Sequence, residues 1–348
     1  MVTQGAPSVI VAIVDTGIDG GDARFRGRVL AGYDFVHGQS NAADDNGHGT
    51  ALAGIVLSTC PRCSIMPVKV LNGSAQGDWA TIASGIIWAT DHRAQVIDLS
   101  VGASRAPDTV QSAVAYAIGK GVIVVAAAGN EGRSEAFYPA SYPGVISVAG
   151  VDETSSRYSW SNFGSWVTVA APGCTSTTWL GGGTVANFCG TSTAAPYVAG
   201  VAGLARSFRE GTSPAAFAAA VGASARTLPD TSIASHGIVD ANGALVALGA
   251  PSGPPLLATR PAVARKPAVG RFAAAFAGTW RQAGSVAITW ERSRDGSRWQ
   301  VVGSGRTFRP RRADVGFRLR VAVNASNVRG TTTVISTATA PVRSTSSA

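Results

Sequence analysis

The chain has 348 residues, 45% of them hydrophobic and 14% charged, with a formal net charge of +9. That length allows two or three domains, and the composition supplies a large core and excludes wholesale disorder. Apolar runs such as Val122–Ala128 fall far short of the roughly 20 residues that a bilayer-spanning helix needs. The charge is segregated, which divides the chain before any motif is considered. Residues 1–249 carry 13 Lys+Arg against 17 Asp+Glu, a net of −4, and residues 250–348 carry 16 against 3, a net of +13.

Five short apolar, β-branched runs predict buried strands: Val9–Val14, Ile65–Leu71, Val96–Val101, Val122–Ala128 and Val145–Val151. Helical stretches are predicted at Thr50–Leu57, Trp79–His92, Thr109–Gly119 and Thr193–Phe208. The alternation predicts an α/β domain over 1–249, with a mostly parallel sheet carrying helices on both faces. Proline then becomes dense, at Pro251, Pro254, Pro255, Pro261 and Pro267. Since proline neither donates to a ladder nor sits inside a helix, residues 250–267 are expected to form an extended linker. Beyond it, Val286–Glu291, Trp299–Val302, Gly316–Asn324 and Thr331–Thr337 predict short strands separated by turn signals such as Asp295-Gly296. In one of them Phe317, Leu319, Val321 and Val323 alternate with Arg318, Arg320 and Ala322, the pattern of a strand buried on one face. An all-β sandwich is expected over 268–342, followed by a flexible tail at 343–348.

Reactive groups in open α/β sheets gather at the carboxyl ends of strands. Asp15 ends the first predicted strand, a place equally suited to a helix cap or turn. His48 is flanked by Gly47 and Gly49 at a helix start, whereas His37, His92 and His236 lack such settings and are read as structural. Ser192 follows Gly190-Thr191 at the start of a small-residue helix. Unsatisfied N–H groups there suit a developing oxyanion, although a serine also caps a helix. Asn130 follows the Val122–Ala128 strand, where its amide can face a substrate oxygen or simply make a turn.

Taken together, and in this order, the segments Asp15-Thr16-Gly17, Gly47-His48-Gly49-Thr50, Asp98–Gly102, Ala126–Gly132, Tyr138-Pro139-Ala140, Ala171-Pro172-Gly173 and Gly190–Pro196 resemble the subtilisin-like serine peptidases. The resemblance spans about residues 8–249. It implies an Asp15-His48-Ser192 triad with Asn130 in the oxyanion hole, and an endopeptidase working through an acyl-enzyme. It further implies that Ser100, Val101 and Gly102 pair with substrate backbone, while Ala127, Ala128 and Gly129 wall the first specificity pocket. A narrow processing peptidase and a catalytically silent binding protein are the rival readings. Departures from the family are also present. Only about seven residues precede the first strand, and neither a signal peptide nor a propeptide is recognisable. The loop that usually binds calcium is replaced by Ser58–Cys63, so no metal and no cofactor are expected. Ala51 stands where the family often has an aromatic residue or histidine. Phe137, ending a short segment, is expected to narrow the first pocket, and Gly77 to leave the fourth open.

Four cysteines allow three pairings, and a Cys60-x-x-Cys63 spacing alone also fits a metal or redox motif. The family resemblance favours a secreted chain, and with it disulfides. We expect a Cys174–Cys189 bridge, with Cys60 and Cys63 either joined to each other or free. The tail module, with Gly278-Thr279-Trp280, Ile288-Thr289-Trp290 and Ala313–Val321, resembles bacterial immunoglobulin-like repeats. Its arginines suggest contact with an anionic surface or cell-wall polymer. The partners expected otherwise are protein or peptide substrates, and the chain is expected to be monomeric.

Overall fold

The computed structural model describes residues 3–264, 266–327 and 329–344. They form two compact units, divided between Ala250 and Pro251.

The first unit runs through β1 (Ile10–Asp15), β2 (Tyr33–Asp34), α1 (His48–Thr59), β3 (Ser64–Lys69), α2 (Trp79–Asp91), β4 (Val96–Leu99), α3 (Asp108–Gly119), β5 (Ile123–Ala127), β6 (Ile146–Val151) and β7 (Val169–Pro172). There follow β8 (Cys174–Thr178), β9 (Thr184–Cys189), α4 (Thr191–Phe208), α5 (Pro214–Ser224) and α6 (Ala241–Ala247). Seven strands form one parallel sheet in the order β2-β3-β1-β4-β5-β6-β7. The β-branched runs are buried because helices cover both faces. On one face Ile82 and Ile86 of α2 and Val110 and Val114 of α3 pack on Ala12, Val14, Val68 and Val124. On the other, α4 comes so close that a Cβ on Gly203 would lie 3.5 Å from Val11, and one on Gly200 would lie 2.6 Å from Thr59 of α1. From β1 the chain proceeds to β2 and β3 on one side and to β4–β7 on the other. The strand order therefore reverses at β1, and a crevice opens at the carboxyl ends of β1 and β4.

All five predicted strands and four predicted helices are present, with shifted ends. β4 stops at Leu99, so Ser100–Gly102 continues beyond the sheet, and Ala103 then bridges Tyr138. Sequence patterning misses the Thr-rich β8–β9 ribbon, because most of its residues are exposed or half-buried and it carries no apolar alternation.

The second unit contains β10 (Leu256–Thr259), β11 (Ala262–Ala264), β12 (Ala273–Phe276), β13 (Thr279–Arg281), β14 (Ser285–Ser293), β15 (Gln300–Ser304), β16 (Thr307–Phe308), β17 (Arg318–Asn327) and β18 (Gly330–Ile335). They form antiparallel sheets, β15-β14-β17-β18, β11-β12-β16 and β10-β13. Between them lies a core of Trp290, Ile288, Leu319, Val321 and Val323. The structure differs from the linker expectation at 256–264, which pairs with β13 and β12. Pro255 and Pro261 fall just outside these strands, where no ladder donor is required, and the residues between them keep their N–H groups. Of the expected tail, Arg343 bridges Ala268, and residues 345–348 lie outside the described residues.

Candidate active site

His48 is the first residue of α1, and three side chains receive the N–H groups that the helix start leaves free. Asn46 Oδ1 accepts from His48 N (3.1 Å), Thr16 Oγ1 from Gly49 N (2.9 Å) and Asp44 Oδ2 from Thr50 N (3.0 Å). Thr16 Oγ1 in turn donates to Asp44 Oδ1 at 2.8 Å, which ties the helix start to the residue after Asp15. Burial works against the Asp44 charge, but the bonds from Gly47, Thr50 and Asn46 outweigh it and hold the carboxyl below its ordinary value. Gly49 is required here, because a Cβ at that position would lie 2.1 Å from Gly17 O. The close approach brings His48 Nδ1 to 2.7 Å from Asp15 Oδ1, which also accepts from Thr16 N at 2.8 Å. Asp15 is fully buried, and the His48 side chain is 23% exposed. Burial pulls the imidazole pKa down, but the Asp15 carboxylate, with Asp44 beyond it, outweighs this and raises it above the ordinary 6.5.

Behind Asp15, buried Lys69 spends all three ammonium protons: on Thr16 O (2.7 Å), Leu71 O (2.8 Å) and Asp45 Oδ1 (2.6 Å). Asp98 sits on β4 in register with Ile13, so Ser100 falls alongside Asp15. Ser100 Oγ donates to Asp98 Oδ2 at 3.0 Å, while Asp98 Oδ1 is buried without a hydrogen-bond partner. Burial pushes this carboxyl up to about 8.

Ser192 occupies the first turn of α4, which lies behind the carboxyl ends of β4 and β5. Its carbonyl oxygen is 3.5 Å from Ser100 Oγ. Gly190, with φ of 154°, makes the turn; a Cβ there would lie 2.8 Å from Ser192 Oγ and 3.5 Å from Asn130 Nδ2. Asn130 Oδ1 accepts from Thr191 N (2.8 Å) and Thr191 Oγ1 (3.0 Å), and the backbone N–H can only donate, so the Nδ2 end faces the Ser192 turn. Thr191 Oγ1 also receives Gly129 N at 3.0 Å. No hydrogen bond joins the His48 ring to the Ser192 hydroxyl among the described residues. Such contacts commonly tighten only when substrate is bound.

The β8–β9 ribbon leads into this turn. Cys174 and Cys189 are cross-strand partners joined by a disulfide, and Cys60 is joined to Cys63. Phe188 lies 5.6 Å from the His48 ring, and Trp179 lies 6.3 Å from Phe188. Of the other histidines, His37 pairs with Asp34 and His92 stacks on Trp88, while His236 lies within about 3.2 Å of where a Gly222 Cβ would be. Among the described residues, no three His, Cys, Asp or Glu side chains gather as a metal site would require. Sequence reasoning gives no role to the supporting groups Asp44 and Lys69, while Thr16, Thr50, Asp98 and Thr191 enter it only as members of the quoted motifs.

Asp15 and His48 are thus hydrogen-bonded at the carboxyl end of a parallel sheet, with Ser192 on the adjoining helix start. The chain belongs to the subtilase family, whose family model matches residues 6–243, and by class it is a serine endopeptidase. It is 44% identical over 204 residues to thermitase of Thermoactinomyces vulgaris, covering 56% of this chain and 73% of the relative. It is 41% identical over 213 residues to a thermophilic serine proteinase of Bacillus sp. (strain AK1), covering 58% and 53%. Subtilisin Savinase of Lederbergia lenta is 35% identical over 246 residues, covering 68% and 90%. Among solved structures, a cold adapted subtilisin-like serine proteinase matches with a TM-score of 0.63 and 31% identity, over 68% of this chain and 91% of the other.

Proposed function

We propose that the chain is a secreted endopeptidase that cleaves peptide bonds through Asp15, His48 and Ser192. Ser192 Oγ attacks the scissile carbonyl carbon as its proton passes to His48 Nε2. The carbon–nitrogen bond then breaks while His48 returns that proton to the leaving amine, and the acyl group remains on Ser192. Water attacks the ester next: His48 takes its proton and gives it to Ser192 as the acyl–oxygen bond breaks. Asp15 keeps the imidazole in the tautomer that presents Nε2 and stabilises the imidazolium. Asn130 Nδ2 and the Ser192 N–H hold the oxyanion. Ser100–Gly102 pairs with the substrate backbone on one side of the acyl-side residue, and Ala127–Gly129 walls the other.

The observation that carries this reading is the 2.7 Å bond between Asp15 and His48 beside the helix start that bears Ser192. It is tested with Ser192→Ala, which should fold as the parent does and lose at least about 10⁴-fold in kcat. A variant keeping more than a few per cent of activity contradicts the assignment. Two disulfides support secretion, since such bonds persist in oxidising compartments.

For the second unit the reading is a monomeric, immunoglobulin-like accessory domain that contacts anionic polymer. Its support is the excess of arginine and a cavity of about 840 Å³ lined by Arg309 and Arg311, beside an Arg292 that is paired with Asp314. Retention on phosphocellulose that falls with salt and is lost in Arg309→Ala/Arg311→Ala supports this; equal retention of the variant contradicts it.

A further inference from the structure

The next inference rests on the proposed function, in which the side chain on the acyl side of the scissile bond enters the slot between Ser100–Gly102 and Ala127–Gly129. That slot is occupied by the protein's own Phe137. A Cβ added at Gly102 would lie 2.4 Å from Phe137 Cε1 and 3.0 Å from Cδ1. One added at Gly129, on the opposite wall, would lie 2.9 Å from Phe137 Cγ. A single benzene ring therefore touches both walls. Since carbon atoms in contact stand about 3.5–4 Å apart, no room remains for a second side chain beside it.

Neither wall is free to give way. Ala103 and Tyr138 exchange a pair of backbone hydrogen bonds of 2.9 Å each, which binds the Ser100–Gly102 wall to the residue after Phe137. On the other side Asn162 N donates to Gly129 O and Asn162 Nδ2 to Ala128 O, both at 2.9 Å. Phe137 is itself held at both backbone groups: its N–H donates to Ser141 Oγ (3.0 Å), and its carbonyl accepts from Ser141 N (2.8 Å). Parting the walls costs backbone hydrogen bonds, and ejecting the ring exposes apolar surface that it now covers.

We propose that Phe137 is a specificity-determining residue that fills the first pocket, so that the enzyme cleaves after glycine, alanine and serine and rejects aromatic and long aliphatic side chains. The substrates that fit are extended protein segments rich in small residues. A bulky side chain gains nothing there, because the apolar surface it would bury is already buried, and it meets the overpacking penalty besides.

The test compares kcat/KM for succinyl-Ala-Ala-Pro-Ala and succinyl-Ala-Ala-Pro-Phe p-nitroanilides. The parent should prefer Ala at least about 30-fold, within the range by which a pocket discriminates on volume. Phe137→Gly should reverse the preference in favour of Phe. Phe137→Leu, which keeps more of the packing, should fall between the two and serves if the glycine variant folds poorly. A parent that cleaves the Phe substrate as well as the Ala substrate overturns the inference, as does an unchanged ratio in both variants. Labelling of Ser192 by a small alkyl fluorophosphonate separates the levels. Without labelling the proposed function itself fails; with labelling and no Ala preference, only the plugged pocket does.

Discussion

In the proposed mechanism, replacing Asn130 with alanine removes one of two donors to the oxyanion and leaves the Ser192 N–H. The size of the loss follows from how the amide is held. Thr191 N and Oγ1 both bond Asn130 Oδ1, which leaves Nδ2 turned toward the Ser192 turn, where the proposed mechanism needs a donor. Preorganised donors of this kind strengthen only as the tetrahedral intermediate forms, and losing one costs about 10²–10³ in kcat, or about 2.7–4 kcal/mol. That scale was itself set with a subtilisin, so it is the family's own benchmark rather than a value peculiar to this site. KM should stay within about threefold, because the ground-state carbonyl gains little from the donor. Thr191→Val provides the graded control. It keeps the backbone bond to Oδ1 and loses the hydroxyl bond, together with the Gly129 N bond to Thr191 Oγ1, so its kcat should fall only about tenfold or less. Steady-state kinetics on one chromogenic peptide decides the matter. If Asn130→Ala raises KM and leaves kcat alone, Asn130 is a binding residue and the reasoning fails; if Thr191→Val costs more than Asn130→Ala, the orienting role is wrong.

Three further outcomes follow from the same geometry. His48 must be neutral to accept the Ser192 proton, and Asp15 raises its pKa, so activity should climb with pH along a limb centred above 6.5; Asp15→Asn should move that limb downward as well as lowering kcat. Asp98, raised to about 8, binds its proton more tightly folded than unfolded, so its contribution to stability is lost as pH rises between about 4 and 8. Asp98→Asn should accordingly gain on the parent across that window by at most about 1.4 kcal/mol per pH unit, and denaturant melts at pH 5 and pH 8 that differ by the same amount in both proteins would refute this. The Cys174–Cys189 bridge closes a loop of 15 residues, which the chain-entropy model values at about 3 kcal/mol, so Cys174→Ser/Cys189→Ser should lower the denaturation midpoint and also kcat, because the ribbon it ties carries Phe188 to the His48 ring. An unaltered midpoint would remove the bridge from the account.

The fold was legible where burial on both faces leaves unbroken β-branched runs, as in β1, β3, β4, β5 and β6. It was not legible in the β8–β9 ribbon, where Thr177 and Thr178 are buried but bond to Ala51 O and Thr50 O of α1. A threonine satisfied by a helix carbonyl has no signature in a hydrophobic pattern. The candidate residues are legible because glycines stand close to them: a Cβ on Gly49 would strike Gly17 O, and one on Gly190 would crowd the Ser192 hydroxyl. Their supports did not. Lys69 reads as the polar end of an apolar strand, and only the fold reveals that three oxygens meet its ammonium group; Asp98 reads as an ordinary strand carboxylate until its orphaned oxygen is seen under the site. Proline density misled in the second unit, since the prolines there punctuate strands rather than prevent them.

The central claim is that Ser192 is a nucleophile activated by His48. The most direct measurement is the rate of covalent modification by a fluorophosphonate, with the adduct mapped by mass spectrometry in the parent and in His48→Ala. A single adduct on Ser192 is expected in the parent, formed along the same pH limb as peptide hydrolysis, with a rate reduced by at least about 10³-fold in His48→Ala. An adduct on another serine, or an equal rate at Ser192 without His48, would contradict it.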